Sequence, residues 1–457
     1  LALIKELPEW LDAAYLKKQK WPSWNSAIIK AHTPNNELEM TSENKAYQRL
    51  AYDELLANQL ALALIRIHLR KKNGTPIHGT DMLKRKVITD LPFKLTKSQI
   101  DAVKDITNDM SSDNRMHRLL QGDVGSGKTL VALLCMLHAI EAGAQAVLLA
   151  PTEILARQHL ATIEALVTPI GVKVSLLTGR DKGKKREGIL QNLAEGKINI
   201  AIGTHAIFQE GVNFKTLAFA VIDEQHRFGV HQRLALTSKG YNVDILVMTA
   251  TPIPRTLTLT AYGDMEVSRL IEKPPGRIPI DTRTISSHRI EEIIKGLKSS
   301  LNKNKKVYWV CPLVEESEKL DLAAAEDRFE HLKSVFGKKV GLVHGKMKAT
   351  DKDSSMDAFK NGDVDILVAT TVIEVGVDVP EASIMIIEHA ERFGLAQLHQ
   401  LRGRIGRGSD KSTCILMFTK NLTEMARKRL EIMRKTEDGF IISEEDLRLR
   451  GAGEILG

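Results

Sequence analysis

The sequence predicts an α/β protein built from two doubly wound parallel-sheet lobes in tandem, preceded by a helical segment. Three observations carry this. From about Leu91 onward, short apolar runs alternate with longer stretches of helical periodicity, the pattern of βαβ units whose strands are buried on both faces. The breaker cluster Pro274-Pro275-Gly276 interrupts that alternation once, after which it resumes. The length, 457 residues, leaves room for about three domains at ~150 residues each.

Residues 1–90 differ from the rest. Trp10, Trp21 and Trp24 fall early, and a helical pattern runs from about Asn44 to Lys72 with Tyr47, Leu50, Leu55, Leu62, Ile65 and Leu69 at helical spacing. Gly74 stands where a C-terminal stop belongs. A bracing role is expected for this segment. The first lobe, 91–272, has apolar runs at Ala146–Leu149, Ile198–Ile202, Ala218–Ile222 and Ile245–Met248. The second, 273–420, has them at Val307–Val310, Val340–Val343, Ile366–Ala369, Ile384–Ile387 and Cys414–Phe418.

Composition narrows the function. No apolar stretch reaches the ~18 to 20 residues of a spanning helix, and Lys5, Glu6 and Pro8 interrupt any signal-peptide core. Cys135, Cys311 and Cys414 lie far apart with no CxxC, so buried thiols in a reducing, cytoplasmic compartment are expected rather than zinc ligands. The net charge of +8 fits either a solvated basic surface or a polyanion partner. Leu1 in place of Met, and an end at Gly457 amid what reads as a motif, make a piece of a longer protein the expectation.

The strongest motif is Gly122-Asp123-Val124-Gly125-Ser126-Gly127-Lys128-Thr129, a match to GxxxxGK[ST] between an apolar run and a helical stretch. Such a loop turns its N–H groups toward a phosphate; Lys128 reaches the β- and γ-phosphates and the Thr129 hydroxyl ligates Mg²⁺. About a hundred residues later, Asp223 and Glu224 follow the strand-like Val221-Ile222. Phosphoryl transfer needs an acid to hold the metal and a group to polarise water, and these two residues fit those roles. Gln225 and His226 are candidate γ-phosphate sensors. Phe93 and Gln99 either read an adenine base or pack a helix start. In the second lobe, Arg402, Arg404 and Arg407 fall within six residues among glycines. Guanidinium forks pair with phosphate oxygens, so this loop is a candidate to complete the first lobe's site as arginine fingers do. The second lobe has no phosphate loop of its own, which puts one nucleotide in the cleft.

Taken together these motifs resemble superfamily 2 helicases, and most closely the RecG family of branch-migrating DNA helicases. The resemblance rests on Gly122–Thr129, Ala150-Pro151-Thr152-Glu153, Gly203-Thr204-His205, Asp223–Val230 and Thr249–Thr256 in the first lobe. In the second it rests on Tyr308–Leu313, Gly341–Gly345, Ala369–Pro380 and the arginine loop Gln397–Gly408. Asp438-Gly439-Phe440 and Asp446–Glu454 resemble that family's translocation hairpin, over 421–457, with Ala452 where Pro is more usual. The transcription–repair coupling translocases share several motifs, but Gln225 and Ser126 favour RecG.

The resemblance implies two RecA-like lobes and a C-terminal helical hairpin. It implies ATP and Mg²⁺, with Lys128, Asp223, Glu224, Gln400, Arg404 and Arg407 catalytic. It places Thr204, Thr251, Arg450 and the Val372–Gly376 loop at the DNA backbone. The implied activity is fork regression and Holliday-junction branch migration by a monomer acting on branched and duplex DNA, with single-strand-binding protein as a partner. The family's N-terminal wedge has no counterpart pattern before Leu91, so a motor without its junction-splitting part, and with weak fork preference, is expected. Two other readings stand beside this one: a nucleotide-gated clamp without turnover, against which Glu224 argues, and an RNA-dependent remodeller.

Overall fold

The computed structural model describes residues 7–34, 41, 43–70, 74–209, 211–224, 242–250, 252–254, 265–274, 277–301, 305–312, 318–370, 379, 381–406, 408, 411–420 and 422–450. The chain forms two compact units, one made mainly of the first 71 residues and one holding both lobes.

The first unit is helical: α1 (Ala13–Gln19), α2 (Trp24–His32) and α3 (Lys45–Arg70). Asp12 caps α1 and Ser23 caps α2, each through side-chain acceptance from the first turn. The early tryptophans collect here. Trp10 lies 5.6 Å from Trp24 and Trp21 lies 5.0 Å from Tyr52, ring centre to ring centre. Arg49 is fully buried and donates to Glu9 at 2.7 Å and to Asp53 at 2.7 Å, so its charge is compensated on two sides.

The second unit begins earlier than the sequence boundary at 91. Helix α4 (Met82–Asp90) and Ile77 pack into the first lobe, with Ile77 and Val87 inside its core. Polar ties explain the difference: Glu141 accepts from the amides of Asp81, at 2.6 Å, and Leu83, while Lys84 bridges Asp81 at 2.6 Å and His138 at 3.3 Å. Residues 74–90 therefore belong with the lobe and not with the helices of the first unit.

The first lobe comprises α5 (Lys97–Met110), β1 (His117–Gly122), α6 (Lys128–Glu141), β2 (Gln145–Leu149), α7 (Glu153–Val167), β3 (Val174–Leu177), α8 (Gly183–Ala194), β4 (Ile200–Gly203), β5 (Leu217–Asp223), β6 (Asp244–Thr249) and β7 (Glu266–Leu270). Its seven strands run in the order β3-β4-β2-β5-β6-β1-β7, all parallel. Every residue of α6 from Val131 to Ala139 is buried, because this helix packs against β1, β2 and β5 beneath α4 and α5.

The second lobe comprises β8 (Asp281–Ser286), α9 (Ile290–Leu301), β9 (Lys306–Val310), α10 (Glu318–Phe336), β10 (Val340–Val343), α11 (Ala349–Asn361), β11 (Ile366–Ala369), β12 (Ala382–Ile387), α12 (Leu395–Arg402), β13 (Thr413–Phe418), α13 (Glu424–Lys435) and α14 (Gly439–Arg450). Its six parallel strands are ordered β10-β11-β9-β12-β13-β8. The hairpin helices α13 and α14 pack onto it, with Leu430, Met433 and Ile442 in its core. The three cysteines are buried and free, and burial pushes the Cys135 and Cys414 thiols up to about 12. Among the described residues no helix is long and apolar enough to cross a membrane.

Asp244, at the start of β6, is 3% exposed, and burial pushes its carboxyl up to about 8. The unfolded carboxyl titrates near ~3.9, so between those values the folded chain holds a proton the unfolded chain has lost. Stability therefore falls as pH rises through that window. Asp244→Asn keeps the oxygen that accepts from Met116 N at 2.7 Å. The variant is expected to melt roughly 2–6 °C above the parent at pH 8.5, with the gap closing toward pH 5. Equal differences at both pH values in calorimetry would count against this account.

Candidate active site

The carboxyl ends of β1, β5 and β6 meet at one edge of the first sheet, the edge where open α/β folds bind ligands. From β1 the chain enters the glycine loop and then α6, whose N-terminal end adds its positive pole. Gly127 has φ of 86°, and a Cβ there would lie 2.3 Å from Gln99 Nε2, so only glycine fits. Lys128 is 8% exposed and donates to the carbonyls of Gly122 at 2.8 Å and Asp123 at 2.9 Å, so its ammonium sits within the loop.

Of the two readings of Gln99, the helix-start one has a physical basis. Its Oε1 accepts from Thr96 N at 2.9 Å, closing a capping box, and its Nε2 donates to Ser126 O at 2.8 Å. At 2% exposure this residue braces the phosphate loop, while Phe93 is 45% exposed.

Asp223 ends β5 and is 8% exposed. Burial pushes its carboxyl up, yet the 2.8 Å hydrogen bond with His159 Nε2 and the nearby charge of Lys128 outweigh it and hold the group below the usual carboxylate range. An ionised buried carboxylate beside the loop suits a hard cation. Glu224 follows with a left-handed φ of 53°, the kind of strained backbone that concentrates at working sites.

The second lobe meets this edge through α12. His399 is 5% exposed and its Nε2 lies 2.5 Å from Asp123 Oδ1. Arg402 Nη2 donates to His399 Nδ1 at 3.1 Å, which leaves Nε2 as the protonated nitrogen that donates to Asp123. Burial raises the Asp123 carboxyl, but the His399 bond brings it below its ordinary range. Gly403 packs so closely that a Cβ would lie 2.7 Å from Val124 Cβ. Arg402 is itself 2% exposed and donates to Met433 O at 2.6 Å, so this arginine holds the lobe together rather than reaching for phosphate. Gln400 and Arg404 stay half-buried beside it.

The structure thus gathers Gly122 to Thr129, Gln99, Asp223 and Glu224 in the first lobe, with Gln400 and Arg404 on the segment that His399 docks against it. Thr204 follows β4 and is 6% exposed. Thr251, Arg407, Gln225, His226, the Val372–Gly376 loop and the Arg450 side chain lie outside the described residues. Sequence reasoning did not single out His159 or His399. Both are lone histidines on helices, and only the tertiary fold pairs them with Asp223 and Asp123.

Residues 96–260 match the DEAD/DEAH box helicase family and residues 288–409 the helicase conserved C-terminal domain. The chain is 50% identical over 432 residues to the ATP-dependent DNA helicase RecG of Haemophilus influenzae, covering 93% of this chain and 62% of that protein. It is 48% identical to RecG of Escherichia coli K12, covering 94% and 64%, and 45% identical to RecG of Streptococcus pneumoniae, covering 99% and 67%. It thus spans a little under two thirds of the first two. The structure of RecG bound to a three-way DNA junction superposes with a TM-score of 0.81 at 43% identity, over 98% of this chain and 59% of that one. The RNA-bound Mss116p, at TM-score 0.60 and 21% identity over 78% of this chain and 76% of that one, shares the fold.

Proposed function

Because the chain belongs to the RecG family of ATP-dependent DNA helicases, we propose that it is an ATP-driven translocase on duplex and branched DNA, serving fork regression and branch migration. The observation that carries this reading is the His399–Asp123 hydrogen bond, 2.5 Å long, which holds the arginine loop of one lobe against the phosphate loop of the other. A binding module needs only the first lobe's loop; a hydrolase completed by arginine needs this meeting.

The residues divide the work. Loop N–H groups and Lys128 grip the triphosphate, and Phe93 stacks on the base. Thr129 and Asp223 supply the hard oxygen donors for Mg²⁺, which when bound screens phosphate charge. Glu224 orients and polarises the attacking water. Arg404 and Arg407 neutralise charge that builds on the γ-phosphate at the transition state. Opening and closing of the cleft then moves the lobes along DNA, gripped by sequence-independent backbone contacts.

ATPase measured with linear duplex, a three-way junction and RNA tests the substrate. DNA is expected to stimulate turnover and RNA is not; equal stimulation by RNA would favour the RNA-dependent reading instead. Duplex affinity is expected to drop by roughly 10³ or more between 50 and 200 mM salt, given six or more neutralised phosphates. A flat salt profile would rule out backbone tracking.

A further inference from the structure

Resting on the reading of the glycine loop as an ATP site, we propose that Arg277 is a positioning residue for the triphosphate: it shapes the phosphate loop from the carbonyl side and ties that shape to the hinge. Arg277 lies in the segment joining the lobes, between β7 and β8. Its Nη1 donates to Val124 O at 2.9 Å. Its guanidinium lies against Gly125 with the Nη2 end nearest: a Cβ there would sit 1.8 Å from Nη2 and 2.6 Å from Cζ.

Position 125 is one of the unspecified places in GxxxxGK[ST], so phosphate binding alone does not call for glycine there. Its φ of 71° and the overlying guanidinium do. Arg277 and Gly125 are therefore a matched pair, 152 residues apart in sequence.

A guanidinium carries donors only. Together Arg277 and Lys128 engage three successive carbonyls, those of Gly122, Asp123 and Val124, with donors. Cations spent on carbonyls do not compete with phosphate for the loop's amides. They also add positive charge next to where the anion binds.

The segment bearing Arg277 is clipped to the second lobe on both sides. Lys273 Nζ pairs with Glu437 at 2.6 Å, and Ile280 N donates to the same carboxylate, which stands between α13 and α14. Arg277 thus moves with the second lobe while gripping a loop of the first. Opening the hinge would pull the guanidinium off Val124 and loosen the loop, linking lobe position to nucleotide release.

The test is titration of a fluorescent ADP analogue into the full 457-residue chain. Arg277→Ala is expected to weaken binding about tenfold and raise KM for ATP by a similar factor, with melting unchanged. Arg277→Lys is expected to recover only part of this, because an ammonium lacks the flat fork. Glu437→Ala, which removes the carboxylate that Lys273 and Ile280 share without touching the loop, is expected to weaken binding by a smaller factor and covers the case in which Arg277→Ala does not fold. ADP affinity equal to the parent's in a folded Arg277→Ala, or in Glu437→Ala, overturns the proposal. Lys128→Ala separates the two levels: if it too binds ADP normally, the ATP site itself is misassigned, whereas if it alone loses binding, only Arg277's role fails.

Discussion

Glu224→Gln should leave ATP bound and bring DNA-stimulated hydrolysis nearly to a halt. The substitution keeps the size and position of the side chain after β5 while removing the charge that polarises water. Positioned general bases contribute on the order of 10² to 10⁴ in rate, and that is the expected fall in kcat. Asp223 is untouched, so metal and nucleotide affinity should hold. Phosphate release with duplex DNA in excess, paired with equilibrium nucleotide binding, measures both halves. Turnover at the parent rate would remove Glu224 from the mechanism and revive the picture of a clamp gated by nucleotide.

The second large effect is expected at Arg404. A finger supplied from another lobe is worth ~10³ to 10⁵ in rate, so Arg404→Ala should cut kcat by about 10³ or more while KM changes little. Its neighbour Arg402 provides the internal contrast. That guanidinium is buried against Met433 and His399, and burial lowers its affinity for its proton. Arg402→Ala should mainly lower the melting temperature, by an amount set by an abandoned buried acceptor. If the two variants instead behaved alike in both kinetics and melting, the division of labour within the loop would be wrong.

Much of this architecture could be read from the residue pattern, and the parts that could not share a cause. Strands in the middle of each sheet, such as β2, β5, β9 and β12, are buried on both faces and appear as unbroken apolar runs. The strands that went unnoticed, β3, β7 and β8, are all at sheet edges. One side of an edge strand faces solvent, so β8 reads Asp281-Thr-Arg-Thr-Ile-Ser286 and carries no continuous apolar signal. The site divides the same way. Gly122 to Thr129 declares itself because phosphate chemistry is local. The supports of that chemistry, His159 on Asp223, His399 on Asp123 and Arg402 behind His399, are set by contacts across the fold. No spacing rule encodes them. The attachment of residues 74–90 to the first lobe is hidden in the sequence for a related reason: α4 is a polar helix, and its ties to Glu141 and His138 are long-range.

The place of β1 in its sheet also bears on how the protein is made. Its two neighbours are β6 and β7, which leave the ribosome more than a hundred residues after it does. A nascent chain that has emerged only as far as β5 already contains the whole glycine loop, but the strand that anchors it has no partner on either side. Nucleotide can therefore act as a folding ligand only late in synthesis. Until then the apolar face of α6 needs protection from neighbouring chains, which makes this stretch of translation the period of greatest exposure to aggregation.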